Sequence, residues 1–228
     1  TATSSSGAGA VLEVSGLLKR LGGFTAVNHV SFKVDQGEIL GLIGPNGSGK
    51  STIFNMLSGT LAPTSGSILF DGSEIAGLAP HRIINRGIGR TFQNLALFGT
   101  MSVLDNVMVG GHSQSSSDFL SNALRLPWVK TEEEGLADAS WELIDYLDLM
   151  DVAYTPVADL PFGTQKRVEL ARALASKPKL LLLDEPAGGL NHDEVEDLGS
   201  LIKQIRDDRG ITVLLVEHHM SLVMAVSD

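Results

Sequence analysis

No cysteine occurs among the 228 residues, which excludes disulfides, thiolate nucleophiles and cysteine-based zinc sites and suits a reducing compartment. No apolar run reaches the roughly 20 residues that a membrane-spanning helix needs, so any membrane role must pass through a partner. Basic residues are the minority: 17 Lys and Arg stand against 27 Asp and Glu, a net charge of −10. That balance argues against nonspecific binding to a nucleic-acid backbone, while leaving room for a local basic pocket. What the chain does have is apolar substance. Hydrophobic residues make up 43% and charged residues 19%, enough for a packed core, and the length suits one α/β domain or one core carrying an inserted subdomain.

Residues 1–10 are a small, polar Ser/Gly/Ala stretch that reads as a disordered arm or linker, and the first residue is Thr1 rather than Met. At the other end, Ser227 and Asp228 follow an apolar periodic segment directly, with no capping glycine. Both ends read as cut, so residues 11–228 are expected to be a domain excised from a longer polypeptide.

Val30, Phe32 and Val34 alternate with polar residues, the period-two pattern of a half-buried strand, and residues 11–34 are expected to be antiparallel. After the turn Asp35-Gln36-Gly37, residues 39–43 form a continuous apolar run, expected to be a strand buried on both faces of a parallel sheet. A short helix over about residues 51–58 and a strand over residues 66–71, closing on an Asp71-Gly72 turn, come next. The middle is more helical. Thr131 and Glu134 have capping-box spacing ahead of Leu136, Leu143, Leu147 and Met150, and residues 114–117 read as a surface loop. A helix over residues 163–175, a buried strand over 180–183, a helix opened by Asn191 and Glu194 and closed by Gly210, and a buried strand over 211–216 complete the pattern. Strands alternating with helices imply a parallel sheet whose ligands sit at the strands' C-terminal ends.

Gly44-Pro45-Asn46-Gly47-Ser48-Gly49-Lys50-Ser51 satisfies GxxxxGK[ST] directly after a buried strand and before a helix. Glycines let successive N–H groups turn toward phosphate oxygens, the helix N-terminus favours negative charge, and the lysine neutralises the β and γ phosphates. The candidate triphosphate-binding residues are thus Gly44, Asn46, Gly47, Ser48, Gly49, Lys50, Ser51 and Thr52, with the Ser51 hydroxyl on Mg²⁺. The strand at 180–183 delivers Asp184 to the metal side, acting through water, and Glu185 to the attacking water beside the γ-phosphate.

With those motifs in place, the sequence resembles the nucleotide-binding subunit of an ABC transporter over residues 11–228. Gly89-Arg90-Thr91-Phe92-Gln93 resembles the Q-loop, Leu160-Pro161-Phe162-Gly163-Thr164-Gln165 the signature motif, Gly189-Leu190-Asn191 the D-loop, and His218 the switch histidine. Alone, a Gln or a His after a strand is more often a surface or capping residue; here the order and spacing of the motifs carry the likeness. The resemblance implies a P-loop NTPase fold of ABC type: a parallel-sheet core with an antiparallel β subdomain and a helical subdomain inserted over roughly residues 94–176. It implies that Gln93 reaches the metal and the attacking water, and that His218 holds the γ-phosphate. Gly163 and Thr164 would cover the ATP held by a second, head-to-tail subunit. Residues 87–94, with Leu97, Phe98, Met101 and residues 103–107, and the stretches 183–191 and 217–224, resemble the branched-chain amino acid uptake group, in its larger-insert type of ATPase subunit. The implied partners are a second, different ATP-binding subunit, a membrane permease and, indirectly, a solute-binding protein. The implied location is the cytoplasmic face of the cell membrane, peripheral or fused to the permease. Urea or amide import and a non-transport ABC ATPase are the alternatives.

Three positions depart from the pattern. Pro161 stands where Ser is usual, removing a hydroxyl and an N–H; Leu21 stands where an aromatic stacks on adenine, with Phe24 nearby as a substitute; Asn191 replaces the usual Asp. From Pro161, the composite site completed by this chain's signature is expected to turn over more slowly than its counterpart.

Overall fold

The computed structural model describes residues 9–91, 97–111, 127–218 and 220–227, without the side chains of residues 127–134 and 221. In chain order the elements are β1 (Ala10–Leu21), β2 (Phe24–Asp35), β3 (Ile39–Leu42), α1 (Lys50–Leu57), β4 (Ser65–Phe70), β5 (Ser73–Glu74), α2 (Pro80–Ile84), β6 (Ile88–Arg90), α3 (Val103–Gly111), α4 (Pro127–Tyr146), α5 (Phe162–Ala175), β7 (Leu180–Asp184), α6 (His192–Arg209), β8 (Thr212–Val216) and α7 (Met220–Val226). Short 3₁₀ turns at Met150–Val152 and Val157–Asp159 link α4 to α5. Among the described residues there are two four-stranded sheets, one ordered β2-β1-β4-β5 and antiparallel, the other ordered β3-β8-β7-β6 and parallel.

The four-leucine run of β7 and the run in β8 are apolar throughout because successive side chains enter two different cores. Leu181, Leu183, Val213 and Leu215 face a cluster built with Val168, Ala171 and Leu174 of α5, Ile202 and Ile205 of α6, and Val107 of α3. Leu180, Leu182, Leu214 and Val216 face the opposite cluster, built with Ile53, Phe54 and Leu57 of α1 and Leu12, Val14 and Ile68 of the antiparallel sheet. The parallel sheet therefore has α1 on one side and α5 with α6 on the other, an α/β P-loop architecture with its antiparallel layer beside α1.

Three local expectations need correction. The run at residues 39–43 meets a core on each face, Ile39 in one cluster and Leu40 and Leu42 against the other, but it is not fully buried: β3 ends the sheet order, paired among the described residues with β8, residues 40–42 are half-buried, and Ile43 lies beyond the strand, exposed. The helix expected to open at Thr131 is already formed at Pro127, which places Thr131 and Glu134 within α4; their side chains lie outside the described residues. Met150 leaves the helix and sits half-exposed in a 3₁₀ turn. By contrast Asn191 and Glu194 do form a capping box at α6, and Gly210, at φ 63°, closes it. Ala10 already belongs to β1. Residues 1–8 and the loop at 114–117 lie outside the described residues.

Candidate nucleotide-binding site

The loop between β3 and α1 is shaped by glycines in the left-handed region: Gly47 and Gly49 have φ of 82° and 95°. At Gly49 a side chain is excluded twice, because a Cβ there would stand 2.4 Å from the Ala26 carbonyl oxygen of β2. The loop wraps the lysine it precedes. Lys50 Nζ donates to the carbonyls of Gly44 (2.6 Å) and Pro45 (2.9 Å), and the side chain is buried. Gly49 offers no side-chain cap to α1, and the helix's first turn carries no acid. The first-turn N–H groups and a buried ammonium thus converge on one loop, an arrangement that favours phosphate. Gly44, Asn46, Gly47, Ser48 and Gly49 all lie in this loop, and Ser51 and Thr52 in the first turn of α1.

Leu21 and Phe24 are opposed across the tip of the β1–β2 hairpin, where Gly22 at φ 59° makes the turn. Both are unusually exposed for apolar residues, at 50% and 63%. Ala26, whose carbonyl abuts Gly49, is two residues beyond Phe24, so the hairpin tip flanks the phosphate loop.

The second half of the site comes from the C-terminal ends of β7 and β8. Asp184 is buried, and its Oδ2 accepts from Arg90 Nη2 at 2.8 Å, while Oδ1 is buried with no hydrogen-bond partner among the described residues. Glu185 follows in the left-handed region at φ 48°, its N–H donating to the Val216 carbonyl. That unfavourable backbone for a non-glycine residue turns the chain out of the sheet. His218 follows β8, and its Nδ1 stands 3.9 Å from Glu185 Oε1, longer than a hydrogen bond. The two carboxylates and the histidine are therefore neighbours at one sheet edge. Gln93 lies outside the described residues, as does His219; β6 ends at Arg90, and the Thr91 N–H continues the ladder to the Leu182 carbonyl.

Gly163 and Thr164 are elsewhere. They lie inside the first turn of α5, which begins at Phe162, one residue before the expected start at 163, with Pro161 as an N-cap lacking any side-chain bond. They line a cavity of about 320 Å³ with Leu190, Glu194 and Leu198, and no residue of the phosphate loop borders it. A Cβ on Gly163 would meet Glu194 Oε1 at 2.8 Å, and one on Gly189 would meet the Phe162 ring at 2.9 Å. The signature and D-loop segments of one chain are thus packed on each other. Asn191 Oδ1 accepts from the Glu194 N–H at 3.0 Å, so the amide at this position serves as the N-cap of α6.

Two residues of the site were missed in the sequence. Glu217 is buried, and its carboxylate accepts from the Ala187 N–H (2.8 Å) and the His218 N–H (2.9 Å), joining the loop after Glu185 to the switch position. Arg90 was present only as a letter of a motif; its partner Asp184 is distant in sequence and reached through strand pairing. No local spacing signals either role.

Fold and site together define a P-loop nucleotide-binding cassette. Residues 27–188 match the family model described as ABC transporter. The high-affinity branched-chain amino acid transport ATP-binding protein BraF of Pseudomonas aeruginosa is 42% identical over 96% of this chain and 86% of its own length. The high-affinity branched-chain amino acid transport ATP-binding protein LivG of Escherichia coli is 39% identical over the same shares. A nucleotide-free ATP-binding cassette from an ABC transporter superposes with a TM-score of 0.83 at 30% identity, covering 96% of this chain and 85% of that one. The chain belongs to the ABC transporter family.

Proposed function

We propose that this ATPase powers the import of branched-chain amino acids through a membrane permease, working from the cytoplasmic face of the membrane as one half of a head-to-tail pair. The substrate class rests on the relatives, BraF and LivG, whose names specify that transport. The catalytic half of the reading rests above all on one observation, the meeting of Asp184, Glu185 and His218 at the strand ends.

In this reading Lys50 leaves the Gly44 and Pro45 carbonyls for the β and γ phosphates, and the loop's N–H groups take their oxygens. Leu21 and Phe24 supply an apolar surface for the base. The unpartnered Asp184 Oδ1 and the exposed Ser51 hydroxyl suit a divalent cation, and these residues, with Gln93, would hold Mg²⁺. Such a cation would neutralise the charge that develops on the phosphates. Glu185 orients the attacking water and accepts its proton, and His218 holds the γ-phosphate. Gly163 and Thr164 close over the nucleotide of the partner subunit, since within one chain α1 and α5 are on opposite faces of the sheet. The segment over roughly residues 94–176 is assigned as the helical subdomain that meets the permease. Cells lacking this chain should lose uptake of radiolabelled leucine, isoleucine and valine and regain it on complementation. Unchanged uptake of all three, with loss of urea uptake instead, would refute the assignment.

A further inference from the structure

The guanidinium of Arg90 is held from three directions. Nη2 donates to Asp184 Oδ2 at 2.8 Å, Nη1 donates to Asn55 Oδ1 at 2.8 Å and to Ser58 Oγ at 2.7 Å, and the group lies 5.8 Å above the Phe54 ring. Phe54, Asn55 and Ser58 belong to α1 and its C-cap, the helix opened by the phosphate loop. The ion pair is nearly dry, with side-chain exposures of 11% and 4%. One face of Asp184 is thereby committed to the protein, while Oδ1 keeps no hydrogen-bond partner among the described residues. Parallel pairing of β6 with β7 sets Arg90 beside Leu182, two residues short of Asp184, and the chain after Arg90 leads into residues 92–96, where Gln93 lies.

We propose that Arg90 is a positioning residue for the metal-side acid: it fixes the Asp184 carboxylate so that Oδ1 is presented to a divalent cation, and it ties that carboxylate to both the phosphate-loop helix and the strand entering the Gln93 segment. The inference rests on the reading of Asp184 as the metal-side acid. A guanidinium suits this task because its planar fork serves Asp184 through one nitrogen and α1 through the other, whereas an ammonium is a point charge without that geometry. Partners that orient a metal-binding group change metal affinity by about 10- to 100-fold when removed.

The test titrates Mg²⁺ into the purified chain with a fluorescent ATP analogue, beside a series in EDTA. Arg90→Met should raise the Mg²⁺ concentration at half-effect about tenfold or more, with metal-free nucleotide affinity kept within about twofold. Arg90→Lys, which keeps the charge but not the fork, should leave much of that shift in place. Ser58→Ala, which loosens the Nη1 anchor without touching Asp184, should shift the midpoint in the same direction by a smaller factor, and it carries the test even if Arg90→Met fails to fold. An Mg²⁺ midpoint for Arg90→Lys and Ser58→Ala equal to that of the unaltered chain would overturn the proposal. So would a lower midpoint, since Arg90 would then compete with the cation for Asp184. A structural role alone would weaken binding equally in EDTA and in Mg²⁺, which also counts against it. If the unaltered chain showed no Mg²⁺ dependence, the metal reading of Asp184 itself would fall, and that result is distinguishable from the others.

Discussion

Glu185 carries its charge on a backbone at φ 48°, a conformation that costs a non-glycine residue of order 1–3 kcal/mol. Surrounding contacts hold it there: its N–H donates to Val216, and its carbonyl accepts from the Gly188 N–H. The strain places the carboxylate 3.9 Å from His218 rather than along the strand axis. Glu185→Gln preserves shape while removing the proton acceptor. ATP binding should persist, hydrolysis should fall about 10²- to 10⁴-fold, and the unhydrolysed nucleotide should hold two subunits together as a dimer in size-exclusion runs with ATP. Normal turnover by the variant would remove Glu185 from the role of base. Asn191 shows a departure from the family pattern that the structure makes intelligible, because the N-cap of α6 needs an acceptor and an amide oxygen supplies one as well as a carboxylate does. Pro161 has no such compensation, since its N-cap position has no side-chain bond.

At the scale of elements, one kind of sequence signal had two outcomes. The apolar runs of β7 and β8 are buried on both faces because each strand has a neighbour on either side and a core on either face. The run at residues 39–43 looks the same, yet it forms an edge strand, and nothing within those residues records which strand lies beside them. The β4–β5 hairpin is an element the turn chemistry made legible, with Asp71 and Gly72 at φ 47° and 70°. Its lock was not legible. Glu74 Oε1 accepts from the N–H groups of Ile68 and Ala76, and Oε2 accepts from the Ser67 hydroxyl. Desolvation pushes this carboxyl up, but the Ser67 hydroxyl and the backbone N–H groups together outweigh it and hold it below its ordinary 4.5. A carboxyl lowered on folding contributes stability that is present above pH 4.5 and disappears as pH falls through the folded value. Glu74→Gln should therefore flatten the decline in thermal stability on acidification below that pH, measured by differential scanning calorimetry. An identical decline in both proteins would contradict the lock.

For the whole molecule, the decisive arrangement is that the phosphate loop and the signature turn belong to opposite sides of one sheet. Lys50 heads α1 against the core shared with the antiparallel layer, and Gly163 lies in α5 against the other core, packed on Glu194. Among the described residues one chain does not close its own site, and a second subunit supplies the missing wall in the proposed reading. Pro161 then gives the assembly a direction. In a pair with a different ATPase subunit, the site covered by this chain's signature lacks a hydroxyl and an N–H for the nucleotide, and its turnover should be slower than that of the other site. Inactivating each composite site in turn and measuring the remaining ATPase would reveal the difference, and equal losses would refute the asymmetry. Pro161→Ser should narrow the gap.

Chain order alone determined the phosphate loop, the acids after the leucine run and the helix opened by Asn191, because each depends on contacts among residues only a few positions apart. The resemblance in motif order extended that reading to the ABC class. Tertiary structure alone decided that β3 is an edge, that Arg90 grips Asp184, that Glu217 joins the Glu185 loop to His218, and that the signature turn stands apart from the phosphate loop. Those facts depend on which strands lie side by side and which face of the sheet each helix covers, and such neighbours, far apart in sequence, leave no periodicity in the segments they join.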